Sequence, residues 1–109
     1  MIRETILKIE SALSSAGLKE ETRTELLELL GKLKAEIDGL ARTDAEGAQS
    51  VEGFAKIYAH EVSRRQRNPK LLDVSLRGLS ASVEEFEESH PQLVQVVNRI
   101  CTTLANLGI

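Results

Sequence analysis

Two histidines, one cysteine and a short run of cations are the residues of this chain whose chemistry could matter most. His60 stands in Ala59-His60-Glu61-Val62, where a zinc-protease helix would place a second histidine four positions on; Arg64 occupies that place instead. His90 follows Glu87 as Glu-x-x-His, the spacing of one half of a di-iron carboxylate site. Such a site needs a second copy of the motif and two further carboxylates, and Pro91 sets His90 at a chain corner. A surface or capping role is therefore expected for His60, and a capping role at the next helix for His90. Cys101 is the single cysteine, so no intrachain disulfide is possible, and with only Arg99 nearby in sequence it is expected to be a buried, inert thiol. The seven glycines are scattered and form no phosphate-binding loop. No catalytic, cofactor-binding or metal constellation results, and neither enzyme activity nor a cofactor is expected.

Charge is patterned more clearly than chemistry. Arg64, Arg65, Arg67 and Lys70 place four cations within seven residues, and Glu84, Glu85, Glu87 and Glu88 oppose them further along. The sharp reading of the first group is an anion or nucleic-acid patch. The plainer one, favoured here, is a solvated helix end whose cations complement the negative helix terminus. A net charge of -3 and 3% aromatics speak against nucleic acid, which needs a basic field or stacking platforms.

The elements that hold these residues follow from apolar spacing. Ile2, Ile6, Ile9 and Leu13 form one series; Leu26, Leu30, Leu33, Ile37 and Leu40 form a second. Leu72, Leu76, Leu79, Val83 and Phe86 form another, and Leu93, Val97, Ile100, Leu104 and Leu107 the last. Alternating steps of three and four keep one helical stripe facing a partner, and no segment alternates with period two. The expectation is an all-α bundle of about five helices in a single domain, 1–109. Residues 1–40 form an antiparallel helical hairpin turning at Gly17, with its second helix beginning near Glu20 to Thr22, where Thr22-Arg23-Thr24-Glu25 fits a capping box and Glu20 and Glu21 suit the positive helix end. Residues 41–49 are expected to be a linker, and 50–109 a three-helix portion. Its first helix starts near Ser50, or alternatively at the capping box Thr43-Asp44-Ala45-Glu46, with Val51, Phe54, Tyr58 and Val62 inward, and ends near Gln66. Asn68-Pro69 and His90-Pro91 mark the next two helix starts, the penultimate helix running to about Glu88.

The last helix is the least charged: of residues 89–109 only Arg99 carries charge, against 28% in the whole chain. A solvent-facing helix normally carries more, so a covering partner is expected and a second subunit is the simplest one. Leu93, Val97, Ile100, Leu104 and Leu107 are its candidate packing or self-association face, together with part of the second helix. The opening residues lack a signal-peptide core and no stretch is apolar enough for a membrane span, so a cytoplasmic protein without membrane contact is expected.

The run from Val83-Glu84-Glu85-Phe86-Glu87-Glu88 through Ser89-His90-Pro91-Gln92-Leu93, followed by Ile100 and Leu104-Ala105-Asn106-Leu107-Gly108-Ile109, resembles the small bacterial proteins grouped as domain of unknown function 4404. The resemblance is good over about 76–109 and looser over 1–40. The middle, about 47–70, looks longer than in the shortest members, making the third helix an elaboration. It implies an all-helical bacterial protein and brings no activity, cofactor or site residue. The function expected from the residues is a non-enzymatic interaction module that self-associates into a dimer or larger species. The alternatives are an anionic or nucleic-acid partner at Arg64, Arg65, Arg67 and Lys70, and, behind it, a metal-dependent enzyme using Glu87, His90 and His60.

Overall fold

The alternating apolar steps become buried stripes on five helices in the computed structural model, which describes residues 2–109. They are α1 (Ile2–Ser14), α2 (Glu20–Thr43), α3 (Ala45–Ser63), α4 (Pro69–Val83) and α5 (Pro91–Leu107), with a single 3-10 turn at Glu84–Phe86. The all-α class and the helix count agree with the periodicity. No helix among the described residues is long and apolar enough to cross a membrane.

Helices α2 to α5 close a ring. α2 packs on α3, α3 on α4, α4 on α5 and α5 back on α2, so that α2 is diagonal to α4 and α3 to α5. Each runs antiparallel to the next, as short connections dictate. α1 lies outside the ring in the groove between α2 and α3, touching both. Its direction is parallel to α3: Thr5 shares a cleft with Lys56 and Ala59, whereas Ser11 and Ser15 border Ser63. Leu13, Leu33, Ile37, Val51, Val83, Leu93 and Val97 are among the side chains sealed in one continuous core. Each such aliphatic chain contributes roughly 1.5–3 kcal/mol over its exposed state.

Helix ends depart from several sequence expectations. Residues 41–49 are not a linker but helical on both sides of Asp44, which ends α2 and starts α3 in one step. Its backbone N–H bonds to Leu40 O at 2.8 Å while its Oδ1 accepts from Gly47 N at 2.8 Å. The cap is thus Asp44 rather than Thr43, whose hydroxyl turns back to Leu40 O, and α3 starts well before Ser50. Gly47 and Ala48 look loop-like in sequence because they are small, but both are buried. A Cβ on Gly47 would meet the Phe86 ring at 2.5 Å and the Asp44 carboxylate at 2.7 Å. α2 begins at Glu20, within the expected start, but the box at Thr22 is unused: Lys19 before it makes no side-chain cap, and Glu20 pairs with Arg23. α3 stops at Ser63, short of Gln66, as Arg64 turns extended. α4 ends at Val83, short of Glu88, because the chain tightens to turn Phe86 inward against Gly47. Asn68 caps α4 as expected, its side chain accepting from Lys70 N and Leu71 N. Gly17 and Gly108, both left-handed, terminate α1 and α5.

Tyr58 is the largest fully buried side chain, and its hydroxyl donates to Ile109 O at 2.6 Å, tying the middle of α3 to the residues beyond α5. Phe54, expected inward, is instead half-exposed and lies across Gly78 of α4, where an added Cβ would meet its ring at 2.5 Å. The inward positions are taken by Ala55 and Ala59.

Gly47→Ala is destabilising by about 1–3 kcal/mol through overpacking, although alanine is the better helix former. Gly53→Ala, where nothing lies within 4 Å of the new methyl, is stabilising by about 0.5–1 kcal/mol. Urea midpoints that moved in the same direction for both would contradict the Phe86 contact. Tyr58→Phe lowers stability by about 1 kcal/mol near neutral pH. Burial raises the Tyr58 hydroxyl above its ordinary pKa of 10.0, so the folded state holds the proton more tightly than the unfolded chain. That contribution is intact below pH 10 and declines as pH rises beyond it; in Tyr58→Phe the alkaline decline measured by denaturant titration becomes shallower.

Candidate functional site

The residues singled out for chemistry do not converge. His60 is exposed on α3, with Nε2 4.0 Å from a Glu61 carboxylate oxygen. His90 occupies the capping position of α5 but makes no capping bond, contrary to expectation; its Nδ1 lies 3.0 Å from Ser89 Oγ. Its ring meets the edge of Phe86, with centroids 6.0 Å apart, which holds the corner by aromatic packing instead. Among the described residues no three His, Cys, Asp or Glu side chains are grouped to hold a metal ion. Cys101 is half-buried between α5 and α4, donating to Leu76 O at 3.4 Å. Burial pushes its thiol up to about 11, so it stays protonated and unreactive near neutral pH.

The cation cluster divides by role. Arg67 Nε donates to Val62 O at 2.9 Å, capping the end of α3 with a side chain from the loop beyond it. Arg64 Nη1 bonds the Glu61 carboxylate at 2.9 Å. Arg65 and Lys70 stand exposed at the same end. A surface cleft of about 520 Å³ runs beside Lys8, Ser11, Ser63, Arg64 and Arg67. The C-terminal ends of α1 and α3 both face it, and their negative poles offset these cations. Arg64 and Arg67 are accordingly engaged at the end of α3, whereas Arg65 and Lys70 are not.

The apolar stripe of α5 is also placed differently from the interface reading. Leu93, Val97, Ile100 and Leu104 are all sealed in the chain's own core, and only Leu107 is exposed. The opposite face of α5 is not covered: Gln92, Gln95, Asn98, Thr102 and Asn106 face solvent. Amides and hydroxyls satisfy themselves with water or neighbours, as where Ser80 Oγ donates to Asn98 Oδ1 at 3.1 Å, so lack of charge did not mark burial here. Arg99 reaches across to Glu25 of α2 at 3.5 Å.

What composition and periodicity did not flag is the outer edge of the α3–α4 pair. Six large apolar side chains are exposed among the described residues, and four of them, Phe54, Ile57, Leu71 and Val74, belong to these two helices. The Phe54–Gly78 contact fixes their placement. Ile57 is three residues from Phe54, while Val74 and Leu71 are four and seven residues from Gly78, so all lie along the same seam. This side of the ring is open; the α2–α3 side is covered by α1. In the sequence Phe54 reads as part of the inward series Val51, Phe54, Tyr58 and Val62, and spacing alone does not separate it from them.

Comparison with curated proteins and with solved structures finds no match. A family model, domain of unknown function (DUF4404), matches residues 26–109. The matched span takes in most of α2 and all of α3, α4 and α5, the four members of the ring, and leaves out α1. It therefore includes the 47–70 stretch as well as the C-terminal run from Val83 to Ile109. With most of its length covered by that match, the chain belongs to the DUF4404 family.

Proposed function

We propose that this protein is a non-enzymatic helical interaction module that associates with itself, and that the α3–α4 face is the surface it uses. The observation that carries this reading is the strip of Phe54, Ile57, Leu71 and Val74, exposed to water along one seam. Single exposed leucines are ordinary, but apolar side chains gathered along one helix pair are a typical mark of an interaction surface. The α5 stripe is unsuitable for this role, because Leu93, Val97, Ile100 and Leu104 are already spent on the core. A folded scaffold whose polar ends are settled internally, by Asp44, Asn68 and Arg67, presents this strip on rigid helices rather than on loops.

Sedimentation equilibrium of the full chain at micromolar concentration is expected to show a dimer or larger species, and a strict monomer overturns the proposal. Ile57→Glu and Val74→Glu each place charge on the strip without disturbing the core, since both side chains are exposed. Each is expected to shift the chain to monomer while leaving helical circular dichroism unchanged and moving the thermal midpoint little. Variants that remain associated as the wild type does would remove this face from consideration.

A further inference from the structure

The α3–α4 hairpin is electrically bipolar along its length. At the α3–α4 loop stand Arg64, Arg65, Arg67 and Lys70; beyond the other end of α4 stand Glu84, Glu85, Glu87 and Glu88. The contact of Gly47 with Phe86 sets that acidic corner beside the start of α3, which adds Glu46. Lys70 and Glu85 are separated by roughly 22 Å at 1.5 Å per helical residue, well past a Debye length of about 8 Å. The two ends therefore cannot neutralise one another within one chain. Among the described residues Arg65, Lys70 and the four glutamates of the corner form no ion pair.

A second copy can neutralise both ends at once. We infer that the α3–α4 face pairs with the same face of another copy in an antiparallel, two-fold arrangement, setting the basic end of each against the acidic end of the other. This rests on the self-association proposed above and specifies its geometry. Lys70, Val74, Gly78 and Ala81 follow one another at steps of four, four and three and so occupy one stripe of α4, and Glu85 stands exposed in the 3-10 turn just beyond its end. Reversal about the Arg77–Gly78 level brings Lys70 opposite Glu85 of the second copy and Val74 opposite its Ala81. Phe54, lying on Gly78, then sits close to the two-fold axis. A parallel pairing would set like charges together at both ends and is disfavoured. An isologous contact of this kind also closes at two copies and does not propagate.

The size of the face sets the strength. α3 is roughly 28 Å long and two helices are roughly 20 Å wide, giving about 550 Å² of projected surface. Stable pairs bury about 800 Å² on each side, so a reversible, micromolar dimer is expected, with affinity that falls as salt is raised.

Charge reversal in the full chain tests the arrangement. Arg65→Glu with Lys70→Glu is one variant, and Glu85→Lys with Glu88→Lys the other; Arg67 is left alone because it caps α3. Each variant alone is expected to dimerise at least tenfold more weakly than the wild type in sedimentation velocity, and an equimolar mixture to recover a heterodimer near wild-type strength. Helical circular dichroism and thermal midpoints close to wild type show that both variants are folded. If the wild type dimerises but the variants do too, or the mixture recovers nothing, the antiparallel pairing is wrong while self-association stands. If the wild type stays monomeric throughout, both readings fall.

Discussion

The third helix has three neighbours, and it can have them because almost everything it turns inward is small. Gly47, Ala48, Val51, Ala55, Ala59 and Val62 are all buried, and Tyr58 is the one bulky exception. Interiors tolerate few voids, so the distance between helix axes is set by the side chains between them. Small residues on α3 let α2 and α4 approach on its ring sides and leave a groove shallow enough for α1 to fill with Ile2, Ile6, Ile9 and Leu13. The neighbours supply bulk in return, mostly as leucine and isoleucine. The division of size goes with the near absence of aromatics, and it leaves α1 a definite place: the ring closes without it, yet α3 and α2 are not covered without it.

Helix ends in so small a chain need polar partners, because each leaves unpaired N–H or C=O groups. Asp44 serves two ends in a single residue, Asn68 caps the start of α4, and Arg67 returns to the last turn of α3. These assignments decide which charges are available for anything else. Two of the four cations at the α3–α4 loop are engaged locally, whereas Arg65, Lys70 and the acidic corner at 84–88 are left to the surface. The charges on the surface are thus those that capping leaves over, and their separation into two ends follows from helices that begin and finish together.

The helices were legible because their apolar steps of three and four have no β counterpart, and the prolines at 69 and 91 marked true first turns. Their ends were less so. A single residue can reverse the chain, and Asp44 does it where the run of small residues at 45–48 suggested a flexible connection. Smallness has two causes, turning and close packing, and only the position of Phe86 distinguishes them at Gly47. Phe54 was misplaced for the matching reason: an apolar residue one position off the stripe looks inward until Gly78 is known to lie beneath it. The low charge of α5 does not correspond to burial, because charge reports the preference of a surface and not its accessibility. The α3–α4 strip escaped notice since its members belong to two helices whose pairing the sequence does not state.

Tyr58 has one further consequence. It is the only tyrosine in a chain without tryptophan, and it is sealed at the point where α3 meets the end of the fold. The near-ultraviolet absorption and emission of the molecule therefore arise almost entirely from one ring whose hydroxyl is held by a carbonyl. Hydrogen-bonded and released phenols differ in emission, so the protein carries an intrinsic optical gauge of a single contact. Loosening of the C-terminal residues from α3 would be visible in that signal even while every helix remained intact.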